Sequence, residues 1–136
     1  MAGPETPKLT VDCMITRPDG DVLLIRRKNP PFQGQYALPG GFVDLGETVE
    51  QACVREVAEE TGLILSVDDI RMIGVYSAPD RDPRGHSVTV AFRAAVRNDQ
   101  KPVAADDAAD AEFVSYSDDL EIGFDHHDII QDGLRL

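Results

Sequence analysis

Alternating apolar and polar positions predict most of the strands in this chain. Every second position of residues 9–15 is apolar, which is the period of a strand with one buried face. A Pro-Asp-Gly turn at residues 18–20 then leads into an apolar segment at 22–25, which predicts a hairpin. Further strands are predicted at 70–76, 88–96 and 112–116.

Residues 28–41 carry proline and glycine too densely for a regular element, and we expect a loop there. The chain has no internal repeat and no low-complexity linker, so residues 1–136 are expected to form one domain. Predicted strands outnumber predicted helices and do not alternate with them strictly. The fold class expected is therefore α+β with a mixed β-sheet.

One long helix is predicted at residues 48–61. Thr48 and Gln51 have the spacing of a capping box, and Gly62 follows the last turn as a C-terminal cap. A shorter helix is expected at 125–135, although a glycine weakens its pattern. The long helix has the more complete start and stop signals of the two, so its boundaries are predicted more sharply.

The apolar stripe of the long helix continues as a row of acids. At 100° per residue, Val49, Ala52 and Cys53 share a face that should pack on the protein body. The same stripe then carries three carboxylates: Glu56, Glu59 and Glu60. Like charges this close raise one another's pKa, and acids near a helix C-terminus oppose the helix dipole. We interpret the row as a site for a divalent cation such as Mg²⁺, with a solvated acidic helix end as the alternative.

Residues 41–63 (GFVDLGETVEQACVREVAEETGL) are identified as a Nudix box, which they match without a departure. The fixed positions of that motif are all filled: Gly41, Glu47, Arg55, Glu56, Glu59, Glu60 and Gly62. The resemblance implies the Nudix αβα sandwich around a mixed sheet. It also implies an enzyme that hydrolyses the pyrophosphate bond of a nucleoside diphosphate derivative.

The resemblance also implies roles for individual residues of the box. Glu56 and Glu60 would be the principal Mg²⁺ ligands, with Mn²⁺ able to substitute, and the Gly40 carbonyl would complete the metal shell. Glu59 would be a ligand or a proton acceptor. Glu47 would pair with Arg55 and so hold the loop on the helix without binding metal.

The proton acceptor is left open by the sequence. Members of the family use either a glutamate of the box or an acid in a later loop, and the candidates here are Glu59, Glu56 and three loop aspartates, of which Asp107 is preferred. For Asp106 and Asp110 a solvated acidic loop is the better interpretation.

Features outside the box resemble the ADP-ribose pyrophosphatases. Pro79 lies sixteen residues after Leu63, where that group carries a marker proline, and residues 76–86 resemble its loop. Arg81 and Arg84 in this loop are candidates to bind the diphosphate, although each could equally pair with a neighbouring aspartate. ADP-ribose, a small-molecule nucleotide, is therefore the expected substrate.

Two aromatic residues, Phe32 and Tyr36, are candidates to stack on adenine, although an aromatic residue in a loop more often packs locally. The three histidines (His86, His126 and His127) lack the spacing of a zinc site, and no catalytic role is assigned to them.

Two other functions agree with the box. It would serve an enzyme that cleaves 8-oxo-dGTP or another nucleoside triphosphate. A non-catalytic, ADP-ribose-sensing domain of the kind found in some transcription regulators is also similar, because those domains carry a comparable Arg-Asp-Pro-Arg-Gly loop. The intact box and the strong acidity of the chain disfavour this second alternative.

Composition narrows the possible partners. A net charge of −12 provides no basic footprint for nucleic acid. No apolar run is long enough to cross a bilayer and the first ten residues lack a signal peptide, so a soluble, cytoplasmic protein is expected. Cys13 and Cys53 fall in apolar segments, which favours buried free thiols over a disulfide. The resemblance to Nudix pyrophosphatases further implies a homodimer.

The acidic residues also predict a response to salt. The chain has 17 Asp against 8 Glu, and 3 Lys against 10 Arg, a pattern that is typical of proteins adapted to high salt. If the surface is halophilic, the melting temperature should rise steeply with KCl up to molar concentrations, because screening removes self-repulsion among the carboxylates. Thermal denaturation in a KCl series tests this. A melting temperature that stays flat from low to molar salt would identify an ordinary acidic protein.

Overall fold

The computed structural model describes residues 5–97, 99–103 and 108–136. Within these residues the chain forms a seven-stranded sheet and two α-helices. The strands are β1 (Lys8–Thr16), β2 (Val22–Arg27), β3 (Tyr36–Ala37), β4 (Gly40–Phe42), β5 (Arg71–Tyr76), β6 (Ser87–Ala95) and β7 (Ala108–Val114). The helices are α1 (Val49–Thr61) and α2 (His126–Leu134), and a short 3₁₀ turn spans Val67–Asp69.

Strand β1 lies at the centre of the sheet. It pairs in parallel with β6 over its full length and antiparallel with β2 and β4. The main path of the sheet runs β3-β2-β1-β6-β5, with β7 paired to β2. One parallel pair among antiparallel neighbours makes the sheet mixed, which confirms the predicted fold class.

The two helices cover opposite faces of this sheet. Cys13 and other odd-numbered positions of β1 pack in one apolar cluster with Ala52, Cys53 and Val57 of α1. Met14, on the opposite face of the strand, packs with Ile129 and Ile130 of α2. The strand alternates its side chains between two buried layers, as expected for the αβα sandwich. Cys13 and Cys53 are free and buried, as predicted.

Helix α1 begins and ends where its local signals predict. The Thr48 hydroxyl accepts from the Gln51 amide at 3.0 Å, and the Gln51 side chain accepts from the Thr48 amide at 2.9 Å. Gly62 then adopts a left-handed conformation with φ 73°, which a residue with a Cβ atom rarely adopts. These caps fix the register of the helix and hence the direction of its acidic row.

Two predictions about strands were wrong in detail. The expected loop at 28–41 contains β3, and it leads into β4, which begins at Gly40. These strands have only two and three residues, too few to show a period. The strand predicted at 112–116 spans 108–114 instead, because its extent is set by pairing with β2 and not by its own sequence. No helix among the described residues is long and apolar enough to cross a membrane.

Candidate active site

A cavity of about 390 Å³ opens between β1, β4, the carboxyl end of α1 and the start of α2. Its wall includes Asp12, Gly40, Gly41 and the three acids predicted on α1. The loop between β5 and β6 contributes Arg81, Asp82 and Arg84 to the same cavity. The fold therefore brings together the acidic row and both candidate arginines.

Glu60 is the most deeply placed acid of the row. It is 8% exposed, and its Oε1 accepts from the Gly40 amide at 3.2 Å. Its carboxyl group also hydrogen-bonds that of Glu56. Burial, followed by the bond to Glu56 and the charge of that neighbour, raises the pKa of Glu60 to about 9. Near neutral pH and without a cation, the Glu60 carboxyl group therefore stays protonated, and its O–H donates a hydrogen bond to Glu56.

Glu59 does not join the other two acids. Its side chain is 47% exposed and lies at the rim of the cavity, where it accepts from Arg55 at 3.2 Å. Among the described residues no three acidic, histidine or cysteine side chains converge on one point in the manner of a preformed metal site. At 100° per residue, Glu59 lies at the edge of the buried stripe of α1, next to solvent. Its hydrogen bond with the Arg55 guanidinium group keeps the side chain on this exposed side.

Arg55 holds several acids and the adjoining loop at once. It binds Glu47 through two hydrogen bonds of 2.7 and 3.0 Å, which, with a backbone bond from Asp44, lower the pKa of Glu47 to about 2. Its remaining donors bind Glu56 at 2.9 Å and the Phe42 carbonyl at 2.9 Å. The structure thus brings Glu47 and Arg55 together as expected, and one guanidinium group fixes both the loop and Glu56.

The two glycines of β4 allow the backbone to lie directly against the acids. A Cβ atom on Gly41 would fall 2.6 Å from the Glu56 carboxyl group, and one on Gly40 would overlap Asp12 and the Val11 carbonyl. Only glycine fits at either position without displacing an acid or β1. The close approach keeps backbone polar groups within reach of the Glu56–Glu60 pair.

The two loop arginines differ in environment. Arg81 is 5% exposed at its side chain, binds Asp125 through bonds of 2.7 and 2.9 Å and donates to Thr89 at 2.6 Å. Arg84 is 53% exposed and pairs through two bonds with Asp82. Arg81 thus joins the start of α2 to β6, whereas the half-exposed Arg84 side chain lines the cavity.

Neither Tyr36 nor Phe32 lines the cavity, so the structure does not bring the predicted adenine-stacking residues to it. The Tyr36 hydroxyl donates to Glu112 at 2.8 Å and the Arg26 guanidinium covers its ring at 4.2 Å. Its neighbour Ala37 does line the cavity, because successive residues of a strand point to opposite faces. Phe32 packs edge-on against Phe124, with ring centroids 4.7 Å apart. Asp107 lies outside the described residues.

Sequence reasoning missed the role of His126 at this site. The buried ring accepts from the Leu38 amide at Nδ1 (2.9 Å), so Nε2 carries the proton and donates to Asp12 at 3.1 Å. His126 thereby ties α2 to β1 and to the segment just before Gly40. The alternation of β1 gave no signal for this contact, because Asp12 stands at one of its polar positions; its burial, which requires a donor, is evident only in the structure.

Residues 6–132 match the model of the NUDIX domain. This chain belongs to the Nudix family. It is 50% identical over 129 residues to the ADP-ribose pyrophosphatase of Methanocaldococcus jannaschii, covering 95% of this chain and 74% of that one. It is also 35% identical to the ADPR responsive transcriptional repressor NtrR of Acinetobacter baylyi, covering 93% of this chain but 52% of the repressor.

Solved structures of Nudix proteins share the fold. A MutT/nudix family protein from Enterococcus faecalis has a TM-score of 0.91 at 33% identity, covering 99% of this chain and 63% of that one. The NUDIX domain of Shewanella oneidensis NrtR, solved with ADP ribose, has a TM-score of 0.86 at 31% identity, covering 96% and 88%. The protein is a Nudix hydrolase. The chain spans 74% of the pyrophosphatase but only about half, 52%, of the repressor.

The residues at the end of α1 fit a divalent cation, which Nudix hydrolases generally use. Two carboxyl groups share a proton in a buried position beside backbone polar groups of β4. A cation that displaces this proton would gain two anionic oxygen ligands and remove the repulsion between them. The donor set is entirely oxygen, which suits Mg²⁺ or Mn²⁺ better than a soft metal.

Removal of the Glu60 carboxyl group should change how stability depends on pH. Because the pKa of Glu60 is higher in the folded state than in the unfolded state, the cation-free protein should lose stability as pH rises from about 4.5 to about 9. The Glu60→Gln variant should show a flatter profile of melting temperature in EDTA across this window. The exposed Glu59→Gln is the matched control and should keep the wild-type slope. Parallel profiles for wild type and Glu60→Gln would contradict the assignment.

Proposed function

We propose that this protein hydrolyses ADP-ribose to AMP and ribose 5-phosphate in a Mg²⁺-dependent reaction. The observation that carries the proposal is the Glu56–Glu60 pair, held against Gly40 and Gly41 at the wall of a cavity of ligand size. The 50% identity to an ADP-ribose pyrophosphatase supports the choice of substrate.

In this proposal Glu56 and Glu60 are the metal ligands, with the Gly40 carbonyl as a further ligand. A bound cation would neutralise phosphate charge and lower the pKa of a water molecule. Arg55 orients Glu56 through a 2.9 Å hydrogen bond. Its hydrogen bond to Glu47 holds the loop between β4 and α1 in place. Glu59 at the rim is the described acid best placed to accept a proton, because its exposed carboxylate faces the cavity mouth. Asp107 remains a candidate for the same role.

The two loop arginines have different roles in this proposal. Arg84 has an exposed guanidinium group at the cavity wall and is the candidate to bind the diphosphate. Arg81 already has carboxylate and hydroxyl partners around its buried guanidinium group, so we assign it to positioning α2. Phe32 and Tyr36 receive no direct contact with the substrate.

A second candidate is a domain that binds ADP-ribose without cleaving it. The similarity to NtrR favours this candidate, and so does the TM-score of 0.86 to an NrtR domain solved with ADP ribose. The intact acid pair and the higher identity to the pyrophosphatase favour catalysis. Cleavage of 8-oxo-dGTP has less support, since the similarity to a putative 8-oxo-dGTP diphosphatase of Bacillus subtilis covers 48% of this chain. The homodimer, the cytoplasmic location and the single domain remain predictions.

The proposed reaction makes a direct prediction about metal and substrate. With Mg²⁺, release of AMP from ADP-ribose should show a higher kcat/KM than turnover of NADH, diadenosine polyphosphates or 8-oxo-dGTP, because polar groups that bind an unsubstituted terminal ribose would stay unpaired when the ligand carries a base there or no second sugar. Chelator should abolish turnover, and Glu56→Gln or Glu60→Gln should lower the rate by about 10³-fold or more. Glu50→Gln on the first turn of α1 is the matched control.

Two results would redirect this assignment. If ADP-ribose raises the melting temperature but releases no AMP with Mg²⁺ or Mn²⁺, the binding domain replaces the enzyme. If 8-oxo-dGTP is turned over tenfold better than ADP-ribose, the protein is a nucleoside triphosphate hydrolase with the same metal site.

The arginines should separate in mutants. Arg84→Ala should raise KM or lower kcat with the melting temperature nearly unchanged, because its guanidinium group is half exposed. Arg81→Ala should lower the melting temperature as well as activity, since it removes the guanidinium group that donates two hydrogen bonds to Asp125. Thermal denaturation and steady-state kinetics on both variants test this. An Arg81→Ala protein with wild-type stability would instead assign Arg81 to substrate binding.

A further inference from the structure

Phe124 presents an aromatic ring to the same cavity that the acids line. It directly precedes Asp125 and His126, which fasten the start of α2 to Arg81 and to β1. Its own ring packs edge-on against Phe32 at 4.7 Å and lies 5.2 Å from the His126 ring. The ring is therefore held from behind by two other rings while it remains part of the cavity wall.

The backbone at this pair of rings is unusual. Phe124 and Phe32 have φ angles of 56° and 60°, and among the described residues they are the non-glycine residues with positive φ. Bulky side chains rarely adopt this conformation, and residues held in it cluster at ligand sites. Gly123 directly precedes Phe124, and a Cβ atom on it would come within 2.9 Å of Phe32. The absence of a side chain at Gly123 therefore allows the two rings to meet.

We infer that Phe124 is the stacking platform for the nucleobase of the substrate, an inference that rests on the proposed function. The diphosphate must lie at Glu56 and Glu60, and the two ends of ADP-ribose differ in chemistry. A flat π-system gains most from a ring face, whereas a ribose needs hydrogen-bonding groups. Phe124 offers the cavity an aromatic ring and no polar atom beyond its backbone.

The face of the Arg84 guanidinium group, whose edge we assign to the diphosphate, would cover the other side of the base. Its guanidinium carbon lies 5.7 Å from the Phe124 centroid. A base between two flat groups needs about 3.5 Å on each side, or roughly 7 Å in total. The guanidinium group therefore has to move outward by roughly 1 to 2 Å, which an exposed side chain can do. The Arg27 guanidinium, 5.1 Å from the same ring, adds positive charge at this end of the cavity.

A second aromatic residue provides the internal comparison. Phe42 also lines the cavity, but its ring is 49% exposed and has the Lys8 ammonium group 5.5 Å above it. No aromatic ring among the described contacts supports it from behind. An unsupported ring must be ordered when the base binds, whereas Phe124 is already ordered, and this difference favours Phe124.

The experiment measures the two products separately in Mg²⁺-containing buffer. Phe124→Leu should raise the Kd for AMP by roughly 5- to 100-fold, which is the range of base stacking on an aromatic side chain. The Kd for ribose 5-phosphate should stay at its wild-type value, and Phe124→Tyr should retain AMP affinity. Phe42→Leu is the matched control and should leave the AMP Kd unchanged.

A tryptophan probe keeps the test independent of any loss of stability in Phe124→Leu. The chain contains no Trp, so Phe124→Trp and Phe42→Trp each report on one position. AMP should change the fluorescence of Phe124→Trp strongly, whereas ribose 5-phosphate should not, and Phe42→Trp should respond weakly to both.

Three results would overturn the inference. They are an effect of Phe124→Leu on ribose 5-phosphate alone, a loss of AMP affinity in Phe42→Leu but not in Phe124→Leu, and an AMP response confined to Phe42→Trp. Failure of the proposed function looks different, because the wild-type protein itself would then release no AMP from ADP-ribose, whatever the Phe124 and Phe42 variants show.

Discussion

The burial of the Glu60 carboxyl group is the constraint around which this site is organised. An isolated buried carboxylate is too costly to persist, so the fold provides a backbone donor at Gly40 and a carboxyl partner at Glu56. The bare pair still shares a proton, with the pKa of Glu60 raised to about 9. The fold thus maintains an arrangement that is unfavourable by itself and becomes favourable with a divalent cation. The two glycines of β4 are part of the same arrangement. A Cβ atom on Gly40 or Gly41 would separate the backbone from the acids.

The central strand transmits this constraint to the rest of the molecule. Cys13 packs toward α1, while its neighbour Asp12 points to the opposite face and meets His126 at the start of α2. One strand therefore positions both helices relative to Gly40, which pairs with Asp12 in the register of β1 and β4. Arg81 adds a second tie between α2 and the sheet through Asp125 and Thr89. A buried polar network of this kind rigidifies a site when its members are satisfied.

Local signals in the sequence predicted α1, its caps and the acids, because everything that fixes them lies within fifteen residues. The Nudix box at residues 41–63 includes this stretch, so the family and the reaction class followed with it. The contacts that complete the cavity are not local. Leu38 and His126 are 88 positions apart, and nothing in either neighbourhood indicates that they meet. Tyr36 shows the same limit on a smaller scale, since one step in the register of β3 decides whether it or Ala37 faces the cavity.

The path of the chain separates two tasks that the enzyme performs together. The acids and the glycine backbone come from residues 40–60, whereas Phe124 and the anchors of the opposite wall come from the last part of the chain. His126 connects the second wall to the first indirectly, through Asp12 of β1 and the Leu38 amide just before Gly40. Mutations that reshape one wall can therefore leave the other intact. With this arrangement, the substrate can change during evolution while hydrolysis of the pyrophosphate bond is conserved.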